Sequence, residues 1–286
     1  MISEYFPFLS KYWHYVITSI VLFFLTILLI EKRKTKKIIK KNIDDINFHN
    51  SIDNDDCDEQ PALSKNLEHI PFEYSRPSEE NLLKRAREFY DITNARRTIR
   101  FFSKDKVPKN IIREIIRSAG TAPSGAHTEP WTFVVVSNKN IKMNIRKIIE
   151  TEEEINYKKR MGKKWTTDLM PLKTNWIKEY LTDAPYLIIV FKQVYGLLPD
   201  GKKKIHYYNE MSVSIACGIL LTAIQYAGLV TLTSTPLNCG PALKKLLERP
   251  DNEKLAILLP VGYPAVDATV PKLERKSLDE ILVEFD

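Results

Sequence analysis

Cysteine is scarce: three in 286 residues, at positions 57, 217 and 239. They are far apart, odd in number and include no CxxC pair, so neither a zinc site nor a disulfide framework is indicated, and free thiols suit a reducing compartment such as the cytosol. No metal is expected. No GxGxxG supports a Rossmann nucleotide site. No nucleophile–base triad appears, and His127 stands alone with no catalytic role assigned to it. Internal repeats and low-complexity tracts are missing. The net charge is +7, yet no basic stripe is interleaved with aromatics and no nucleic-acid motif occurs, so no nucleic-acid partner is expected.

The charge that is present is unevenly placed. Residues 1–41 hold 8 basic and 2 acidic side chains, and residues 42–77 hold 2 basic and 9 acidic. Residues 78–286 are basic again, with 33 against 25, which fits an anionic ligand such as a phosphate, a flavin or a nicotinamide dinucleotide. Residues 12–30 carry His14 as their only ionisable group besides tyrosine, and from Val16 to Ile30 they are nearly all Ile, Leu, Val and Phe. A helix of this length crosses the ~30 Å hydrocarbon core. Tyr12, Trp13 and Tyr15 suit its interface, and Lys32, Arg33, Lys34, Lys36, Lys37, Lys40 and Lys41 follow it. A cleaved signal peptide fits less well, because charge follows the run where a small-residue cleavage site would stand. The expected order is a short extracytoplasmic N-terminus (1–11), a membrane helix (12–30), a basic flank and acidic disordered linker (31–77) and a cytoplasmic catalytic domain (78–286).

Within that domain Ser78 with Glu79 and Glu80 signals a helix start, and Leu82, Ala86 and Phe89 follow at helical spacing. A short strand is expected from Thr98 to Phe102. A helix capped by Asn110 and ended by Gly120 follows, then a buried strand from Trp131 to Val136 and a long helix from Ile141 to about Met161. A buried strand from Tyr186 to Phe191 precedes an uncharged run, Met211–Ala227, whose Ser, Thr, Gln and Gly content reads as a buried central helix and not as a second span. Strands over 229–233 and 255–260 and a closing helix complete an α+β sheet flanked by helices. Residues 163–173 are polar without clear periodicity and are read as mobile.

Two stretches carry chemistry. Arg96-Arg97-Thr98-Ile99-Arg100 concentrates three guanidiniums; an isolated cluster of this kind reads as a solvated edge, and its alternative is a phosphate clamp. Thr121-Ala-Pro-Ser-Gly-Ala-His-Thr-Glu-Pro-Trp131 lies between a helix and a strand, with Gly125 allowing close backbone approach and Ser124 offering a hydroxyl.

Together these stretches resemble the nitroreductase superfamily. The further runs Glu153-Glu-Ile-Asn-Tyr157, Asn175-Trp-Ile-Lys178, Thr233-Ser-Thr-Pro-Leu-Asn238 and Pro260-Val-Gly-Tyr-Pro264 are similar to those of the iodotyrosine deiodinase family within it. The resemblance spans about Arg96 to Val283. It implies a domain-swapped homodimer holding FMN, which deiodinates mono- and diiodotyrosine reductively in iodide salvage. Electrons would come ultimately from NADPH, through a diffusing donor or a partner reductase. It implies that Arg96, Arg97, Thr98, Ile99, Arg100 and Arg275 bind the FMN phosphate and ribityl chain. Ser124 would contact the flavin, Thr233, Ser234 and Thr235 would lie along its ring, and the Thr235 hydroxyl would reach N5. Glu153, Tyr157 and Lys178 would grip the amino-acid zwitterion, and the Ala126 amide would meet the phenolate oxygen. Independently, Glu153 and Tyr157 are four apart and so share a helix face. Without the resemblance Glu153 and Lys178 would read as solvated surface charges. The rival readings are a general flavin-dependent nitroreductase and a halotyrosine-binding flavoprotein without turnover.

Overall fold

The computed structural model describes residues 62–198 and 200–285, together with Tyr15, Thr18, Leu22, Phe23, Phe24, Thr26 and Ile27. The basic flank and the linker as far as residue 61 lie outside the described residues, as does most of the expected membrane run. Among those described, no helix is long and apolar enough to cross a membrane.

Four strands form one sheet in the order β1 (Trp131–Val136), β2 (Tyr186–Gln193), β6 (Glu253–Gly262), β5 (Val230–Thr231), each antiparallel to its neighbour. A parallel bridge from Thr98 to Thr231 at the β5 edge makes the sheet mixed. A hairpin of β3 (Tyr195–Leu197) and β4 (Lys203–Ile205) stands apart. The other described elements are helices α1 (Glu79–Ala95), α2 (Lys109–Ala119), α3 (Lys139–Ile155), α4 (Gly162–Leu169), α5 (Tyr180–Asp183), α6 (Asn209–Tyr226) and α7 (Gly240–Leu246), with short turns at Gly125–His127, Asn156–Arg160, Met170–Leu172 and Leu278–Glu280.

The apolar run of β2 explains the layering. Successive side chains on a strand point to opposite faces. Leu187, Ile189 and Phe191 enter a core with Ile145 and Ile149 of α3, Leu181 of α5 and Leu243 of α7. Ile188 and Val190 enter a second core with Ile112 and Ile115 of α2 and Val213, Leu220 and Ile224 of α6. A strand covered on both faces must be apolar throughout.

Several expectations are corrected. Thr98–Phe102 is an extended segment with single bridges at Thr98 and Phe102, not a strand. Only Ile99 and Phe102 of it are buried, a spacing of three that a half-buried strand does not give. β1 has the expected bounds but is half-exposed, because it is the outer strand and pairs only with β2. The long helix ends at Ile155 and continues as one wide turn, Asn156–Arg160, closed by Met161 N–H on the Asn156 carbonyl at 3.0 Å. Residues 163–173, expected to be irregular, hold α4 and a tight turn, Met170–Leu172. α2 begins one residue before Asn110. In place of a closing helix, a tail with one tight turn, Leu278–Glu280, follows β6. α6 buries Ser212, Val213, Ala216, Cys217, Leu220 and Ile224, while Met211 and Tyr226 stay 64% and 76% exposed.

Candidate functional site

The arginine segment follows α1, which Ser78 caps by accepting from Asn81 N–H. It turns back across the sheet edge, where Ile99 N–H donates to the Thr231 carbonyl at 3.1 Å. Ile99 itself is buried, so what it can offer a cofactor is its backbone. The C-terminal tail returns to the same place. Arg275 donates to the Arg96 carbonyl and to Asn94 Oδ1, both at 2.9 Å, and Arg97 donates to the Pro271 carbonyl. The Arg275 side chain and the Arg96 backbone, 179 residues apart, therefore touch, and Arg97 reaches the same tail at Pro271. The donors suit a phosphate: guanidinium forks match its oxygens.

The loop after α2 has an unusual backbone. Ala126, His127 and Glu129 have φ of 49°, 50° and 47°, a region that costs a non-glycine residue about 1–2 kcal/mol. Ser124 holds the loop by accepting from Glu129 N–H at 3.0 Å. The loop's turn is closed by the N–H groups of His127 and Thr128, and the Ala126 N–H takes no part in those bonds. Gly125 lies against Tyr207 so closely that a Cβ would stand 2.9 Å from Tyr207 Cβ and 3.0 Å from its carbonyl oxygen.

Glu153, Tyr157 and Lys178 converge. Lys178 Nζ is 3.5 Å from Glu153 Oε2, with side chains 8% and 12% exposed, and 5.3 Å from the centre of the Tyr157 ring. Lys178 Nζ also donates to the Asn175 carbonyl. The buried Asn156 donates to the second carboxylate oxygen of Glu153 at 3.1 Å. Tyr157 sits in the wide turn and packs edge-on to Trp165 and Trp176, with centroids 4.8 and 6.0 Å away. Burial lowers the Lys178 pKa against the opposing pull of Glu153. It raises that of Tyr157, so the phenol is protonated and a donor at neutral pH.

Two members of this cluster were not evident from sequence. Arg100, grouped with the phosphate arginines, lies near enough for its charge to favour the ionised phenols of Tyr157 and Tyr180 and to disfavour the Lys178 ammonium. Tyr180 is buried, and its phenol is pushed up to about 12, chiefly by burial, with the Ser234 hydroxyl opposing and Glu153 adding. Tyr180 thus stands between the clamp and the segment Thr233–Ser234–Thr235. That segment is anchored by reciprocal backbone bonds between Ser234 and Leu258 at 2.9 and 2.8 Å. Thr233 and Thr235 are exposed. Thr235 borders a cavity of about 720 Å³ shared with Asn238, Lys244 and Lys254. Nothing in the sequence marks Tyr180 except its place two residues after Lys178.

The nitroreductase family model matches residues 93–263, and the chain belongs to that family. Iodotyrosine deiodinase 1 of Homo sapiens is 62% identical over 229 residues, covering 80% of this chain and 79% of that protein. The iodotyrosine deiodinase of Hydra vulgaris is 64% identical over 217 residues, covering 76% and 80%. A solved oxidized iodotyrosine deiodinase bound to FMN and 3-iodo-L-tyrosine superposes with a TM-score of 0.60 at 31% identity, over 69% of this chain and 98% of that one. Within the nitroreductase family the chain groups with the iodotyrosine deiodinases.

Proposed function

We propose that this chain is an FMN-dependent dehalogenase that converts mono- and diiodotyrosine to tyrosine and iodide, consuming two electrons and a proton for each iodide released. The observation that carries the reading is the meeting of Glu153, Tyr157 and Lys178 in a largely buried cluster, which Tyr180 links to Ser234. A carboxylate there accepts the substrate ammonium, while a protonated phenol and an ammonium donate to its carboxylate. FMN would be held by Arg96, Arg97, Thr98, Ile99, Arg100 and Arg275 at its phosphate and ribityl chain, and by Ser124, Thr233, Ser234 and Thr235 along its ring. When bound it supplies the electrons, which no side chain can. The Ala126 N–H donates to the phenolate oxygen and fixes the aryl ring, and the Thr235 hydroxyl is the group assigned to flavin N5. Iodide release by purified protein given dithionite and diiodotyrosine tests the reading; no release by protein that retains FMN sinks it.

The phosphate assignment has its own test. Arg97→Ala and Arg275→Ala are each expected to weaken FMN binding by about 1.5–3 kcal/mol, the worth of a charge-assisted hydrogen bond. Titration of apoprotein with FMN measures it, and unchanged affinity in both places the phosphate elsewhere.

The working unit proposed is a homodimer. Phe89 of α1, Ile111 and Ile115 of α2 and Ile215, Ile219 and Tyr226 of α6 line an open groove of about 910 Å³, and α1 buries no residue within the protomer. An apolar face of this kind on a soluble domain suits a second copy. Residues 1–11 are proposed as extracytoplasmic, 12–30 as a single membrane helix, 31–77 as linker and 78–286 as the cytoplasmic catalytic domain, fed by a partner reductase or an NADPH system. The seven basic residues after Ile30, against Lys11 alone before it, support that orientation. In cells a glycosylation tag at the N-terminus is expected to be modified and one at the C-terminus not. The reverse pattern places the catalytic domain on the far side.

A further inference from the structure

Lys178 reaches the clamp from a segment that the core holds through Tyr180, Leu181 and Ala184, but whose backbone has little regular structure of its own to fix its register. The helix that follows, α5, is four residues long, too short to be stable by itself. Pro185 stops its continuation, and its terminal carbonyls need donors from elsewhere. Those donors come from α3. Lys142, 5% exposed, donates to the carbonyls of Thr182 at 3.0 Å and Ala184 at 2.6 Å. One turn on, Arg146 Nη1 donates to Thr182 Oγ1 at 2.9 Å and its Nε donates to Glu150 Oε1 at 2.7 Å. One turn further, Glu150 Oε1 accepts the backbone N–H of Lys178 itself at 2.7 Å. Residues 142, 146 and 150 are spaced by four and share one face of α3.

We infer that Lys142, Arg146 and Glu150 form a polar ladder that sets the position of Lys178 relative to Glu153, making them positioning residues for amino-acid recognition. Glu153 is the next residue of that face, three beyond Glu150, so one helix carries both a clamp group and the rungs that register the opposing one. Burying a lysine to do this is costly unless each of its protons finds an acceptor. Burial does lower the Lys142 pKa, with Asp183 opposing. An apolar residue at 142 would fill the space equally and leave the α5 carbonyls unpaired. The ladder touches neither the phosphate arginines nor the Ser124 loop in any contact described above. Its loss therefore moves recognition of the zwitterion and leaves the aryl and flavin sites in place.

This inference rests on the substrate reading above, and its test separates the two. Full-length Lys142→Met and Glu150→Leu are compared with wild type and with Glu150→Gln, which keeps an acceptor at Oε1. KM for diiodotyrosine is expected to rise at least about tenfold in the first two, with kcat and FMN content little changed, the signature of lost uniform binding. Turnover of iodophenol, which has no zwitterion, stays within about twofold, and Glu150→Gln is expected to recover most of the loss. A second readout needs no turnover: hydrogen exchange at the amides of 178–184 is expected to quicken in Lys142→Met and Glu150→Leu. Unchanged exchange in both variants overturns the ladder, as does a loss falling equally on diiodotyrosine and iodophenol. Faster exchange in a protein whose wild type releases no iodide leaves the ladder standing and overturns the substrate assignment.

Discussion

Glu153→Gln and Lys178→Gln are each expected to lower kcat/KM for diiodotyrosine by about two orders of magnitude, equivalent to ~3 kcal/mol. Iodine and an aromatic ring offer mainly dispersion and stacking, which many phenols supply. The ammonium and carboxylate are what mark an amino acid, and the clamp meets both in a setting where Lys178 and Glu153 are about nine-tenths buried. In such a setting a charge left without its partner costs several kcal/mol, more than the loss of a neutral hydrogen bond. Glu153→Gln keeps the shape of the side chain, so its loss is one of charge; Lys178→Gln removes the charge and also shortens the side chain by one atom. Iodophenol turnover is expected to be poor in wild type and nearly indifferent to both changes. Steady-state kinetics on the two substrates, with FMN content measured alongside, checks this. If both variants process diiodotyrosine at the wild-type rate, the chain is a general nitroreductase.

Gly125→Ala is expected to act without that selectivity. Its Cβ would meet the Cβ and carbonyl oxygen of Tyr207 at 2.9 and 3.0 Å, and neither is the free end of a flexible side chain. One side must shift, at a cost of about 1–3 kcal/mol for forced overpacking. Left-handed residues lie on both sides of the contact, Ala126, His127 and Glu129 in the loop and Tyr208 beside Tyr207, so the loop takes part of the shift. The displacement carries off the Ser124 hydroxyl and the Ala126 amide together. A lowered Tm, weaker FMN binding and reduced turnover of both diiodotyrosine and iodophenol are expected. Thermal melting and FMN titration measure it, and wild-type values for both remove the loop from the site.

The contrast shows what local sequence carries. The Ser78 cap, the bounds of β1 and the two-sided apolar run of β2 are local properties, and each is where the residue pattern puts it. The β3–β4 hairpin was missed because its strands are three residues each and one is Lys-Lys-Ile, which reads as loop. Thr98–Phe102 has strand composition, yet it lies where only single bridges to Thr231 and Pro264 are available. The shared face of Glu153 and Tyr157 is a matter of spacing, but the partnership with Lys178 depends on how α5 docks. Lys142 was hidden for the same reason: in a helix rich in charge it looks solvated, and only the arrival of the Thr182 and Ala184 carbonyls makes it a buried group. Arg100 lies among arginines in the chain and among the clamp residues in space.

The pairing of Glu153 with Lys178 has a bearing on discrimination. Two opposite charges that already pair with each other carry no net charge to draw in a passing ion. A zwitterion can be received by exchange, each protein charge giving up its neighbour for a better-placed counter-ion, so that two pairs replace one. A ligand with an ammonium alone, or a carboxylate alone, completes half of that exchange and strands the other protein charge in a poorly hydrated place. The site thus ranks a singly charged phenol below both the full amino acid, which completes the swap, and a neutral phenol, which leaves the resident pair undisturbed.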